Sequence, residues 1–202
     1  KENPQKIAII DTSNNVEVTY EELKNKAFVV ASFIASRNIK KEAIAISVTR
    51  GYNQSIIALG ILLSGNLYVP VSLNQPSERR KLIHERTKIR YVITDSRNFE
   101  SVQWPKEAIV FKIEDIINEN IVVTLPKIYP EDSAYIIMTS GTTGIPKGAE
   151  MYHKGVTNTI TDVNNRFNIT KDDSVLGVSS MDFDLSVYDL FGMLSCGGTM
   201  VI

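Results

Sequence analysis

The chain has 202 residues, 43% of them hydrophobic and 22% charged, a composition that suits one globular domain with a sizeable core. Its 22 basic and 23 acidic residues leave a net charge of −1, so bulk charge draws it neither to nucleic acid nor to an anionic membrane surface. A single cysteine, Cys196, excludes an intrachain disulfide and a cysteine-based zinc site, and the longest apolar run, Ile56 to Leu63, is far below the ~20 residues that span a bilayer.

In chain order, β-branched runs alternate with helical periodicity. A strand is expected over 7–10. Thr19 and Glu22 form a capping box, after which Leu23, Ala27, Val30 and Ile34 recur on one helical face. A strand follows over 43–48, then an almost wholly apolar helix over 54–63, the pattern of a helix buried between layers. Residues 68–71 are extended and broken by Pro70, and Ser77 is expected to cap a charged helix running to about Arg86. Strands are expected over 90–94 and 109–112. A polar joint near 126–132, bracketed by Pro126 and Pro130, is the best internal boundary. Beyond it come a strand over 134–138, a Gly/Thr-rich loop, a helix over 155–167, a strand over 174–178, a helix over 185–194 and a terminal strand over 199–202. This order predicts an α/β fold of layered, largely parallel sheets with flanking helices. The first residue is Lys1, the chain closes in mid-run, and residues 1–202 are read as an excerpt of a longer polypeptide. With no apolar signal-peptide core at the start, a cytoplasmic location is expected.

The loop after 134–138 carries the strongest chemical signal: Thr139-Ser140-Gly141-Thr142-Thr143-Gly144-Ile145-Pro146-Lys147-Gly148. Its glycines let the backbone approach a bulky anion, successive N–H groups in such a turn form an anion nest, and four hydroxyls add donors. Lys147 supplies one mobile positive charge. Together these describe a polyphosphate cradle. It is not a Walker A loop, because Lys147 stands between Pro146 and Gly148 rather than in Gly-Lys-Ser/Thr. The plain alternative is a surface turn.

A second segment, Met181-Asp182-Phe183-Asp184-Leu185-Ser186-Val187-Tyr188-Asp189-Leu190-Phe191-Gly192, is expected to open a helix near Asp184. Structurally, Asp184 or Ser186 would be a cap, with Phe183, Leu185, Val187 and Leu190 in the core. Other titratable residues are given structural roles: His153 beside a helix start, His84 solvated in a charged helix, Arg79-Arg80-Lys81 on a wet helix face, Trp104 packed in a loop and Cys196 packed rather than nucleophilic. Two distant histidines without a cysteine pair form no metal constellation.

The loop resembles, nearly letter for letter, the phosphate-binding signature of the adenylate-forming superfamily, which includes acyl-CoA synthetases, luciferases and the adenylation domains of non-ribosomal peptide synthetases. Val18-Thr19-Tyr20-Glu21-Glu22-Leu23 is similar to the first motif of the last group. Ile61-Leu62-Leu63-Ser64-Gly65-Asn66-Leu67-Tyr68-Val69-Pro70-Val71 is similar to the second, with Ser64 and Asn66 where alanine-type residues are commoner, and 181–192 is similar to the fourth.

The resemblance implies the N-terminal portion of the large core subdomain of an amino-acid adenylation domain. ATP with Mg²⁺ would be the cosubstrate. Thr139, Ser140, Gly141, Thr142, Thr143, Gly144 and Lys147 would hold its phosphates, with Lys147, Thr139 and Thr142 acting in catalysis. Asp184, in a largely apolar pocket, would pair with the substrate's α-ammonium, and Phe183, Leu185 and Tyr188 would line the site, Leu185 and Tyr188 on one helical face with Asp184. That trio is similar to the opening of a cysteine-selecting pattern. The implied partners are a phosphopantetheine-bearing carrier domain and condensation or cyclisation domains, with no nucleic acid and no membrane. A catalytically inactive scaffold and an acyl-CoA-type ligase stay open. The family's later segments for adenine, ribose and the second catalytic lysine lie outside these residues, so residues 1–202 alone are expected to turn nothing over.

Overall fold

Alternation with a period of two builds the centre of the molecule. The computed structural model describes residues 3–139 and 147–202. In β3 (Ala43–Ser47), Ile44 and Ile46 face one hydrophobic cluster while Ala45 faces another. The same parity separates Tyr68 from Val69 in β4 (Leu67–Pro70) and Ile93 from Val92 in β5 (Tyr91–Thr94). In β7 (Ser133–Thr139) it separates Tyr135 and Ile137 from Met138. Buried on both faces, these strands read as continuous apolar runs, as parallel strands covered on both sides must. With β6 (Ile109–Lys112) and β8 (Lys147–Tyr152) they form a six-stranded sheet ordered β6-β5-β3-β4-β7-β8. All its pairings are parallel except the β7–β8 hairpin.

A second sheet joins the two ends of the chain. β1 (Ile7–Asp11) pairs antiparallel with β2 (Val16–Thr19) and parallel with β10 (Thr199–Val201), which pairs parallel with β9 (Ser174–Leu176). Residues 118–132 form no helix or strand, yet β7 after them pairs with β4 before them at Tyr68 and Tyr135.

Helices α1 (Tyr20–Ser36) and α2 (Tyr52–Leu63) fill the larger cluster, which residues of both sheets share. Thr19 and Glu22 form the expected capping box on α1, and Leu23, Ala27, Val30 and Ile34 are buried. α2 lacks a local side-chain cap; Asp11, at the end of β1, accepts from the Tyr52 N–H at 2.9 Å instead. Asn66 is buried and satisfied: it accepts from the Glu42 N–H at 2.9 Å and donates to the Ile39 carbonyl at 3.1 Å. α6 (His153–Arg166) and α7 (Ser186–Cys196) pack together beside the hairpin, and among the described residues no helix is long and apolar enough to cross a membrane.

Several local expectations are corrected. Ser77 does not cap α3 (Ser77–Thr87); Pro76 holds that position and no side chain caps the helix. His84 is not solvated. It is 6% exposed, and its Nδ1 has no hydrogen-bond partner among the described residues. Nor are Arg79 and Arg80 merely wet: Arg80 donates to the carbonyls of Leu73 and Gln75, and Arg79 to the Gln75 side chain, so they tie down the loop before their own helix. Trp104 packs in the smaller cluster as expected and donates to the Phe99 carbonyl. β2, α4 (Ser96–Ser101) and α5 (Ile113–Ile117) went unanticipated.

Candidate functional site

Both sequence signals leave from the carboxyl edge of a parallel sheet. The Gly/Thr-rich loop departs at Thr139, the carboxyl end of β7, and returns at Lys147, where β8 begins. Ser140, Gly141, Thr142, Thr143, Gly144, Ile145 and Pro146 lie outside the described residues. The loop's two ends are within them: Thr139 and Lys147 form a cross-strand pair, both are exposed, and the Thr139 hydroxyl donates to the Lys147 carbonyl at 3.2 Å. Directly opposed residues of an antiparallel pair project from the same face. By strand parity that face is the one carrying Tyr135 and Ile137.

Asp184 approaches this face. The Tyr135 hydroxyl is pushed above its ordinary pKa, first by burial and then by the negative charge of Asp184. Tyr135 precedes Thr139 by four residues, about 13 Å of strand at ~3.3 Å per residue. The charge of Asp184 is thus felt at Tyr135, and the Thr139 hydroxyl with Lys147 stands at the carboxyl end of the same strand.

The segment around Asp184 differs from expectation in detail. Asp184 and Leu185 form a turn ahead of α7, whose N-cap is Leu185 with no side-chain cap bond, so neither Asp184 nor Ser186 caps the helix. Asp184 is exposed rather than enclosed in an apolar pocket. Phe183 and Leu185 are 55% and 61% exposed, while Val187 and Leu190 are buried. Tyr188 points elsewhere: its hydroxyl donates to Asn164 Oδ1 on α6 at 2.8 Å. Its ring lies so close to Gly192 that a Cβ there would sit 2.8 Å from it. Asp184 and Tyr188 are thus not brought together.

What holds the turn is a set of residues that sequence reasoning missed as positioning groups. Asp189 accepts from the Ser179 N–H at 2.9 Å, and Asp182 accepts from the side chains of Gln75 and Ser180. Ser186 donates to the Met181 carbonyl at 3.0 Å. Arg50, just past β3, donates to the carbonyls of Val178 and Ser179 at 3.2 Å each, and to that of Gly177. It thereby ties the carboxyl edge of one sheet to that of the other. The only signal that could have flagged Arg50 was an arginine three residues past a buried strand.

His153 opens α6 at the far end of β8, roughly 20 Å of strand from Lys147. Burial holds its pKa below the ordinary histidine value, partly offset by Asp132. Cys196 is half-buried at the end of α7, its thiol near the Met193 carbonyl. Among the described residues no three His, Cys, Asp or Glu side chains come together as a metal site.

The sequence profile of the family described as AMP-binding enzyme matches residues 1–202. The chain belongs to that family. Among AMP-binding enzymes it is 37% identical to the "Anguibactin system regulator" of Vibrio anguillarum, over 98% of this chain and 19% of that protein. It is 33% identical to "Pyochelin synthetase PchE" of Pseudomonas aeruginosa, over 92% of this chain and 13% of that one. The non-ribosomal peptide synthetase FmoA3, solved in an AMPPNP-bound form, superimposes with a TM-score of 0.91 at 30% identity, covering 99% of this chain and 21% of its own. The chain therefore spans about a fifth or less of these relatives' lengths. The expected α/β architecture of parallel sheets with flanking helices is that of adenylation domains of such synthetases.

Proposed function

We propose that residues 1–202 form the N-terminal portion of an adenylation domain, and that the polypeptide containing them activates an amino acid with ATP. In the reaction a carboxylate oxygen of the substrate attacks the α-phosphorus, an aminoacyl-AMP forms and pyrophosphate leaves. Lys147 and Thr139, with the loop between them, hold the β- and γ-phosphates and offset charge building on the leaving group. Asp184 receives the substrate's α-ammonium. Mg²⁺ would accompany the polyphosphate and help neutralise the charge building on it.

The observation that carries this reading is the shared face of β7, with Thr139 and Lys147 at one end and Asp184 near Tyr135 at the other. FmoA3 supports it, having been solved with α-methyl-L-serine-AMP. The aminoacyl group would then pass to the phosphopantetheine thiol of a carrier domain, with condensation or cyclisation domains downstream. Cysteine is the first amino acid to test.

The test is amino-acid-dependent exchange of pyrophosphate into ATP by the natural polypeptide. Exchange with one amino acid or a small group of them is expected. Exchange driven only by fatty or aryl acids would assign acyl ligation instead, and no exchange with any acid would leave a non-catalytic scaffold.

A further inference from the structure

The six-stranded sheet contains a second place where its topology makes a ligand site. From β3 the chain moves to β4 on one side; from β5 it moves to β6 on the other. Yet β3 and β5 are direct neighbours, paired from Ile44 and Tyr91 to Ser47 and Thr94. Loops leaving two adjacent parallel strands in opposite directions cannot pack over each other, and the crevice left at the carboxyl ends is where open α/β sheets take ligands. Here the crevice is a cavity of about 630 Å³. That volume is within the range of small-molecule sites. The end of β4 and the loop after it, which supply Pro70 to Asn74 to the lining, lie between it and the Thr139 end of β7.

The polar part of the lining is one-signed, beside the apolar side chains of Ile46, Val48, Val71, Leu73 and Met181. Thr49 and Arg50 come from the loop after β3, Arg97, Asn98 and Ser101 from the segment after β5, and Asn74 from the loop after β4. Among the described residues, two arginines and no aspartate or glutamate line the cavity. Arg50 spends its donors on the carbonyls of residues 177–179, which leaves its charge uncancelled. Arg97 is exposed, and its guanidinium has no hydrogen bond or ion pair among the described residues. Asp95, the carboxylate nearest in sequence, is buried and already accepts from the Thr49 N–H at 2.6 Å, and from the Asn98 N–H and side-chain amide. It cross-links the two loops that border the crevice rather than neutralising Arg97.

We infer that this crevice binds a small molecule bearing a phosphate or carboxylate group, with Arg97 gripping the oxyanion and Thr49, Asn74 and Asn98 receiving an uncharged polar body. The planar guanidinium fork matches either oxyanion in two parallel hydrogen bonds. The inference uses neither the loop after β7 nor Asp184, although Met181 of the Asp184 segment forms part of the cavity wall.

Hydrogen-exchange footprinting of the natural polypeptide with inorganic phosphate, and separately with citrate, tests it. Protection is expected over residues 47–50 and 95–101, and Arg97→Gln should weaken it at least tenfold. Lys147→Ala should leave it unchanged, because that variant removes only the other phosphate-binding region. Protection by phosphate alone assigns a phosphate ligand, by citrate alone a carboxylate, and by both an unselective oxyanion site. Protection by neither, an Arg97→Gln variant that binds as the parent does, or a footprint at 47–50 and 95–101 that vanishes in Lys147→Ala would each overturn it.

Discussion

At the scale of single residues, Lys147 and Asp184 make separable demands. Lys147 is exposed at the mouth of its hairpin with its backbone fixed by pairing to Thr139. Its ammonium is therefore anchored at one end and mobile at the other. Lys147→Ala should slow pyrophosphate exchange about 10- to 1000-fold, the range for losing one charged stabiliser of a leaving group; an unaltered rate would remove the lysine from the mechanism. Asp184 is exposed. Losing its bond to an ammonium costs about 1.5–3 kcal/mol, so Asp184→Ala should raise the amino-acid KM roughly 10- to 100-fold with the KM for ATP unchanged. Equal changes in both constants would mean that Asp184 shapes the turn instead. Sequence singled out these two residues because their chemistry is local: a lysine behind glycines, a carboxylate between apolar residues. It could not reveal that Tyr188 turns toward Asn164, or that Arg50 reaches residues 177–179, since each depends on how two distant elements meet. His84 misled for a related reason: its neighbours in sequence are charged, but its neighbours in space are not the same set.

At the scale of elements, the long periodic helices and most strands, short ones included, were readable, whereas the two shortest helices, β2 and the extent of β8 were not. α1 and α2 run for 17 and 12 residues, long enough for a 3.6-residue period to repeat. α4 and α5 have only 6 and 5 residues, under two turns, and leave no period to count. β8, an edge strand with every residue exposed, reads Lys-Gly-Ala-Glu-Met-Tyr and carries neither alternation nor β-branching. The α1–α2 contact can be tested directly. Gly60 is a point of close approach between the two helices: a Cβ there would lie 2.5 Å from both Val30 Cβ and Val30 Cγ1. The backbone of α2 cannot retreat, because its neighbours Ile57 and Ile61 are fully buried. Gly60→Val should therefore destabilise the domain by about 1–3 kcal/mol or more through overpacking, although valine fits a helix better than glycine does. Hydrogen exchange of α1 and α2 reads this loss, and protection equal to the parent's would show that the helices separate freely.

At the scale of the whole molecule, acid stability should turn on a group that overall charge does not reveal. The chain carries −1 near neutrality, so global repulsion contributes little there. His84, however, sits on α3 beside Ile83, which belongs to the smaller core behind the six-stranded sheet. Burial, with a further push from Arg80, lowers its pKa from 6.5 to about 4. The folded form therefore holds His84 neutral where the unfolded chain would protonate it. Its contribution is complete above the unfolded pKa of 6.5, falls steadily as pH drops toward about 4, and levels off below that value. At about 1.4 kcal/mol per pH unit the total is roughly 3 kcal/mol. Carboxylates such as Asp95, whose hydrogen bonds from Thr49 and Asn98 outweigh the effect of burial and lower its pKa, lose stability in the same direction but at lower pH. A difference measurement separates the two: amide protection of α3 and β5 in the parent and in His84→Gln, followed from pH 7.5 down to about 4.5. The parent should lose about 2–3 kcal/mol more than the variant over that range. Parallel curves would show that His84 gains a proton in place, and that the face of the sheet under α3 admits water.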